Sequence, residues 1–350
     1  MKNLYVMGTP GSGKTSAGLG LALKFRQEGL RVAYFKPVGS PAAAASREDE
    51  DAVLMKQVLR MEQPLENIVP YMAGPNYLSG RHNSCESMKT IRAAYESVVS
   101  GNDMVIIGGA GFPHIMGCLG LDAASLAQEL TAVPVFVIRI ENDYSLDHAI
   151  FINSYMQCKG VPVYGNIFHN VPRPLQAKTQ GIYRPVLEEF GYRTLGVVPS
   201  QPEITSPSVK EYYDVLGGEV LAGGDKMDRI VEDIVIGAMT AESALGYLRR
   251  AANKAVITGG DRSAVALAAL ETNTSALILT GGLYPDVKVV ARAEQKGVPL
   301  ILVHLDTYTT IEKMSEVTRR IRADDEKAVN MALANTEKHI DWRGILKALQ

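Results

Sequence analysis

The sequence has 350 residues, more than the ~250–300 over which one hydrophobic core ordinarily grows, so two domains are expected. Its 36 basic and 38 acidic residues leave a formal charge of -2, which offers no basic surplus for general nucleic-acid binding. A 46% hydrophobic share with 21% charged residues excludes a disordered chain, and no apolar run approaches the ~20 residues of a membrane span. Cys85, Cys118 and Cys158 stand far apart without a C-x-x-C pair, which excludes a disulfide framework and a thiolate zinc site. The N-terminus shows no leader pattern. A reducing cytoplasm is the expected compartment.

In chain order, short β-branched runs alternate with helical segments. The first predicted strand, 4–7, runs into Gly8-Thr9-Pro10-Gly11-Ser12-Gly13, and a helix over 14–28 follows, closed by Gly29. A second strand, 31–35, meets Lys36-Pro37; a loop with four alanines at 42–45 leads to a helix over 51–61. Further strands are predicted at 104–107, 135–140, 163–168 and 194–198, with helices over 84–100, 122–130 and 145–159. Alternation of this kind specifies a parallel α/β sheet with helices on both faces. Three prolines within 199–207 mark a boundary. Beyond it the pattern restarts, with strands at 254–258, 276–280 and 300–304 and helices over 263–271, 286–296 and 309–322. The expected division is 1–202, a smaller α/β domain over 203–323, and a charged helical tail over 324–350 holding the only tryptophan, Trp342.

The segment from Gly8 to Thr15 fits G-x-x-x-x-G-K-[ST] in full, between the first strand and the first strong helix. Such a loop turns backbone N–H groups around phosphate oxygens, at a helix N-terminus whose dipole favours anions. Gly8, Gly11, Ser12, Gly13, Lys14, Thr15 and Ser16 are the expected nucleotide-binding residues. Lys14 would reach the β- and γ-phosphates and the Thr15 hydroxyl would ligate Mg²⁺. ATP with Mg²⁺ is the expected ligand. Lys36 ends a strand on the side where open parallel sheets bind ligands, so it is either a site lysine or a solvated strand end. The run Glu48-Asp49-Glu50-Asp51 either complements a helix dipole or supplies a magnesium ligand, for which Asp51 is best placed. The glycine loop at 108–111, at the third strand's end, offers no carboxylate to a metal.

Together, the 8–15 loop, Val32-Ala33-Tyr34-Phe35-Lys36-Pro37-Val38, the 49–52 turn, the 105–111 segment and Asn170-Val171-Pro172 resemble dethiobiotin synthetase. That enzyme and its cobyrinate-amidating relatives use ATP to activate a carboxylate. From 203 onward, Gly259-Gly260-Asp261-Arg262, Leu279-Thr280-Gly281-Gly282 and Asp306-Thr307-Tyr308-Thr309-Thr310 resemble the DRTGG domain. This order is that of the N-terminal regulatory half of long phosphotransacetylases, and the resemblance spans nearly the whole chain. It implies a parallel-sheet P-loop NTPase domain followed by a smaller α/β DRTGG domain, without the phosphotransacetylase catalytic domain. It also implies a catalytic contact of Lys36 with phosphate and the group being activated, Asp51 on magnesium, and Asn170 at the adenine edge. Gly108 stands where dethiobiotin synthetase has a magnesium-binding glutamate. A missing carboxylate leaves Mg·ATP binding possible but weakens stabilisation of a transferring phosphoryl group.

Several functions stay open. The chain is a nucleotide sensor whose second domain engages a small anionic metabolite or a partner, or an ATP-dependent carboxylate-activating enzyme or slow ATPase, or an assembly module for a metabolic enzyme subunit. In the second domain, Gly259, Gly260, Gly281 and Gly282 can form an anion nest, with Arg262 as a fork for phosphate or carboxylate. Asp261, Thr280 and Asp306 share that strand-end face. Alternatively these glycines make tight turns and an Asp261–Arg262 pair caps the next helix. His304 lies nearby without a serine or cysteine placed to use it. Pairing into a homo-oligomer is expected.

Overall fold

The computed structural model describes residues 3–39, 48–74, 76–79, 84–315, 317, 319 and 321–350, so the alanines at 42–45 lie outside the described residues. The chain divides into two units, Met1–Ser200 with Ile321–Gln350, and Gln201–Arg320. The first unit carries β1 (Asn3–Gly8), β2 (Val32–Phe35), β3 (Val38–Gly39), β4 (Tyr71–Met72), β5 (Met104–Gly108), β6 (Ala132–Arg139), β7 (Gly165–Val171) and β8 (Thr194–Pro199). Six of these form one parallel sheet in the order β2-β5-β1-β6-β7-β8, while β3 pairs with β4. A parallel sheet covered on both faces asks for continuous apolar runs, which is what its strands show. Along β1, Tyr5 and Met7 enter one core with the helices Ala123–Glu129 and Asp143–Cys158. Leu4 and Val6 enter the other with the helix Lys14–Gln27.

Residues beyond Ile321 return to that second core. They form the helices Glu326–His339 and Trp342–Leu349, which contribute Ala332, Ile340, Trp342, Ile345 and Leu349. The tail crosses the Lys14–Gln27 helix closely at Gly20, where a Cβ would overlap Thr336 Oγ1 and the Ala332 carbonyl. Lys24 pairs with Glu337 at 2.8 Å and lies 4.7 Å from the Trp342 ring centre. The Asp341 N–H donates to the Leu195 carbonyl at 2.7 Å, tying the tail to β8.

The second unit holds β9 (Glu219–Ala222), β10 (Asp233–Ile236), β11 (Lys254–Gly259), β12 (Thr274–Thr280) and β13 (Leu300–Leu302), in the order β10-β11-β12-β13-β9. β9 runs antiparallel to β13, so this sheet is mixed. The three central strands are those expected from the sequence. The two edge strands were not expected, because each has only four residues and is partly exposed, which leaves little apolar signal. Among the described residues no helix is long and apolar enough to cross a membrane, and Cys118 and Cys158 are free thiols.

Candidate phosphate-binding site

β1 ends at Gly8, and residues 9–13 turn the chain into the helix Lys14–Gln27. Gly11 and Gly13 have φ of 69° and 82°, a region glycine enters without a Cβ penalty. Space is equally selective there. A Cβ at Gly13 would overlap His169 Nδ1, and one at Gly11 would overlap the Arg139 guanidinium. At Gly8 it would meet Ser12 Oγ at 2.5 Å and the Val137 carbonyl at 2.7 Å. Gly13 is the N-cap, no side chain caps the helix, and its first turn has no acidic residue. A helix cannot satisfy its first N–H groups internally, so this end keeps its positive character for an anion. Beside it, the buried hydroxyls of Ser12 and Ser16 have no hydrogen-bond partner among the described residues. Lys14 Nζ reaches back along the loop to 3.5 Å from the Thr9 carbonyl.

Three residues predicted from separate segments meet next to this loop. Asp49 caps the helix Glu50–Val58 by accepting from the Ala52 N–H at 3.1 Å, which sets Asp51 in the first turn. Thr15 Oγ1 donates to Asp51 Oδ1 at 2.9 Å. Lys36 Nζ donates to Asp51 Oδ2 at 2.6 Å and to Asp49 Oδ1 at 2.9 Å. Lys36 is therefore not a solvated strand end; it is 4% exposed. Burial opposes its charge, but Asp51 and Asp49 outweigh burial and hold the ammonium above the usual lysine value. Burial also opposes the Asp51 carboxylate, yet Lys36, Lys14 and Thr15 hold it below the usual carboxylate range. The Thr15 and Asp51 oxygens fit a hard cation that completes its shell with phosphate oxygens and water, as magnesium does. Among the described residues no cluster of three or more His, Cys, Asp or Glu could hold a metal unaided.

Gly108 ends β5 outside the left-handed region, so its backbone tolerates a side chain. Space does not, because a Cβ there would overlap the Tyr34 hydroxyl. Asn170 has φ 55° and sits at a bulge: Phe168 pairs with Val197 but Val171 pairs with Pro199, so β7 holds an extra residue. The bulge brings His169 and Asn170 against Gly13, with Asn170 Nδ2 3.1 Å from the place of a Cβ. Burial pushes the His169 imidazole down to about 4, so it is neutral. Its cross-strand neighbour Arg139 pairs with Glu141 at 2.8 Å.

Sequence reasoning gave no role to Tyr34, Asp49, Arg139 or His169. Arg139 and His169 carried a usable signal, since both stand near the carboxyl ends of strands in a parallel sheet, where ligands bind. Asp49 lay in an acidic run already singled out. Tyr34 carried none, because a tyrosine in an apolar strand reads as core.

In the second unit the glycine loops form, but several of their N–H groups are engaged. Gly260 donates to the Thr280 carbonyl at 3.3 Å, Gly281 to that of Leu305 at 2.9 Å and Gly282 to that of Val303 at 3.0 Å. A Cβ at Gly260 would overlap the Leu283 carbonyl, and one at Gly259 would lie 2.6 Å from Asp261 Oδ1. Arg262 is not forked to Asp261. Its guanidinium donates to the carbonyls of Gly237, Ala238 and Met239 at 3.1, 2.9 and 2.7 Å. Asp306 accepts from the Thr309 N–H at 3.0 Å and hydroxyl at 2.6 Å, at the start of the helix Thr307–Ser315. Thr280 and Thr307 hydroxyls lie 2.8 Å apart. Of the four glycines expected to form an anion nest, three thus already donate to carbonyls, and Gly260 alone among them is closely approached by another stretch of backbone.

Residues 2–208 match the AAA domain, and residues 211–317 match the DRTGG domain. The chain belongs to the AAA domain family and carries a DRTGG domain after it. This bears out the expected order of a P-loop domain and a DRTGG domain. The phosphate acetyltransferase of Pseudomonas putida is 27% identical over 97% of this chain and 51% of its own length. That of Nitratidesulfovibrio vulgaris is 27% identical over 97% of this chain and 50% of its own. The chain therefore spans about half the length of the curated relatives it matches. A solved structure of the CBS and DRTGG domains of the regulatory region of Clostridium perfringens pyrophosphatase, complexed with the activator diadenosine tetraphosphate, aligns with a TM-score of 0.30. Its identity is 15%, over 50% of this chain and 89% of that one. The likeness is distant.

Proposed function

We propose that this chain is a nucleotide-responsive regulatory module that binds Mg·ATP in its first unit and does not turn it over efficiently. One observation carries the reading: the uncapped, acid-free start of the Lys14–Gln27 helix at a left-handed Gly13, inside a complete phosphate-loop motif. In this reading Gly8, Gly11, Ser12, Gly13, Lys14, Thr15 and Ser16 surround the phosphates. Asn170, on the β7 bulge, is the residue this reading assigns to the base. Magnesium, when bound, supplies charge neutralisation between phosphates, and Thr15 with Asp51 would hold it. Lys36 acts by fixing Asp51 and Asp49 rather than by free contact with substrate. Slow turnover follows from Gly108, whose strand end brings a phenol rather than a carboxylate to the site.

The second unit in this proposal senses or assembles rather than catalyses. The strand-end face of Gly259, Gly260, Asp261, Arg262, Thr280, Gly281, Gly282 and Asp306 takes a small anionic metabolite or a metabolic enzyme subunit, in a cytoplasmic homo-oligomer. The engaged donors there favour a protein contact over an anion. Calorimetry with Mg·ATP and a phosphate-release assay test the proposal together. Binding with turnover far below the ~1–100 s⁻¹ of ordinary phosphoryl-transfer enzymes supports it. Turnover within that range would replace it with an ATP-dependent carboxylate-activating enzyme.

A further inference from the structure

At the start of the Lys14–Gln27 helix lies a cavity of about 10 Å³, whose lining includes Val6, Lys14, Thr15, Tyr34, Asp51 and Gly108. A space of that order holds one water molecule. Its polar groups are the loop's lysine and threonine, the Asp51 carboxylate and the Tyr34 phenol. Tyr34 is 4% exposed and belongs to the core under the Lys14–Gln27 helix. A phenylalanine would fill that core equally well, and buried phenols ordinarily find a hydrogen-bond partner. Burial first, then the negative charges of Asp51 and Asp49, keep this phenol protonated well above the usual tyrosine value, and among the described residues no hydrogen bond offsets them. It is a proton donor throughout the neutral range. Gly108 is what admits it, since a Cβ there would overlap the hydroxyl.

We infer that Tyr34 is a specificity-determining residue of the nucleotide site: its phenol donates a hydrogen bond to the terminal phosphate of a nucleoside triphosphate and so separates it from the diphosphate. The inference deepens the nucleotide reading above and rests on it. In a phosphate loop the lysine attends the β- and γ-phosphates and the next hydroxyl along attends the metal. A donor that shares their cavity therefore stands at the far end of the phosphate chain. Being neutral, it recognises the phosphate without serving as a general base at pH 7.

The test is calorimetric titration of the full chain, in Mg²⁺, with ADP and with a non-hydrolysable ATP analogue, for the wild type and Tyr34→Phe. Loss of a hydrogen bond to a charged group should weaken the triphosphate about ten-fold or more and leave the diphosphate within about two-fold. The nucleotide-free melting temperature should hold or rise, because removing the hydroxyl breaks no hydrogen bond within the described residues. Equal losses for both nucleotides, or no loss for either, overturn the inference. A lower nucleotide-free melting temperature accompanied by equal losses assigns the phenol to packing and overturns it too. A wild type that binds neither nucleotide overturns the underlying reading as well, and does so before the variant is made.

Discussion

At the scale of single residues, charge and space shape the candidate phosphate site. Lys14→Ala removes the loop's cation, and a charged hydrogen bond contributes roughly 1.5–3 kcal/mol. Mg·ATP affinity should fall about ten-fold to over a hundred-fold by calorimetry; an unchanged affinity would remove phosphate from this loop. Gly108→Glu is expected to fail as a gain of carboxylate, since its Cβ overlaps the Tyr34 hydroxyl. Overpacking of this kind costs about 1–3 kcal/mol. Adding Tyr34→Ala opens the space, so the double variant should melt higher than the sum of the two single changes allows. His169 makes a pH prediction. Its folded value of about 4 lies below the unfolded ~6.5, so the unfolded chain binds the proton first as pH falls. Stability is therefore full above pH ~6.5 and declines toward pH ~4, by an amount on the order of 3 kcal/mol. Denaturant unfolding of His169→Gln across that window should show a flatter pH profile than the wild type.

At the scale of elements, the parallel strands and their glycine loops were legible because a strand buried on both faces must be a continuous apolar run. Thr15 was legible from the loop motif, Lys36 from its strand end and Asp51 from the acidic run, but the second carboxylate on Lys36 was not. Asp49 stood in the acidic run without a role of its own and proves to be the helix cap; nothing in its residue type says that its oxygens also face a buried ammonium. β9 and β10 escaped notice for the opposite reason, since half-exposed four-residue edges need little apolar sequence. Arg262 combines a motif position with a structural role. Its type and place suggest an anion fork, while its donors hold the carbonyls just after β10. Arg262→Ala should accordingly destabilise the second unit by about 1–3 kcal/mol, since those carbonyls lose their donors. Denaturant unfolding measures this, and an unchanged midpoint would return Arg262 to ligand binding.

At the scale of the whole chain, the second unit is an insertion: the chain leaves the first unit at Ser200, builds Gln201–Arg320, and returns at Ile321. Among the described residues, its two cores are built from β11, β12 and β13 with their flanking helices. The first unit, by contrast, is incomplete without the C-terminal helices. Its core under the Lys14–Gln27 helix needs Trp342, Ile345 and Leu349, which are respectively 7%, 0% and 0% exposed. Fully burying a large apolar side chain contributes about 1.5–3 kcal/mol, against a net domain stability of about 5–15 kcal/mol. Losing three at once, with Ile340 and Ala332, removes a large part of that margin. A chain ended after Arg320 should therefore keep a folded second unit and lose the cooperative melting of the first. Scanning calorimetry with Mg·ATP at about a hundred times its Kd makes the contrast sharp. If the full chain binds as proposed, the ligand should add about 2.7 kcal/mol to the first unit and raise its transition. In the truncated chain that ligand-sensitive transition should be absent, because the helix that carries Lys14 and Thr15 at its start has lost the surface it packs against. If the truncated chain melts and responds like the full one, the tail helices do not hold the phosphate loop in place.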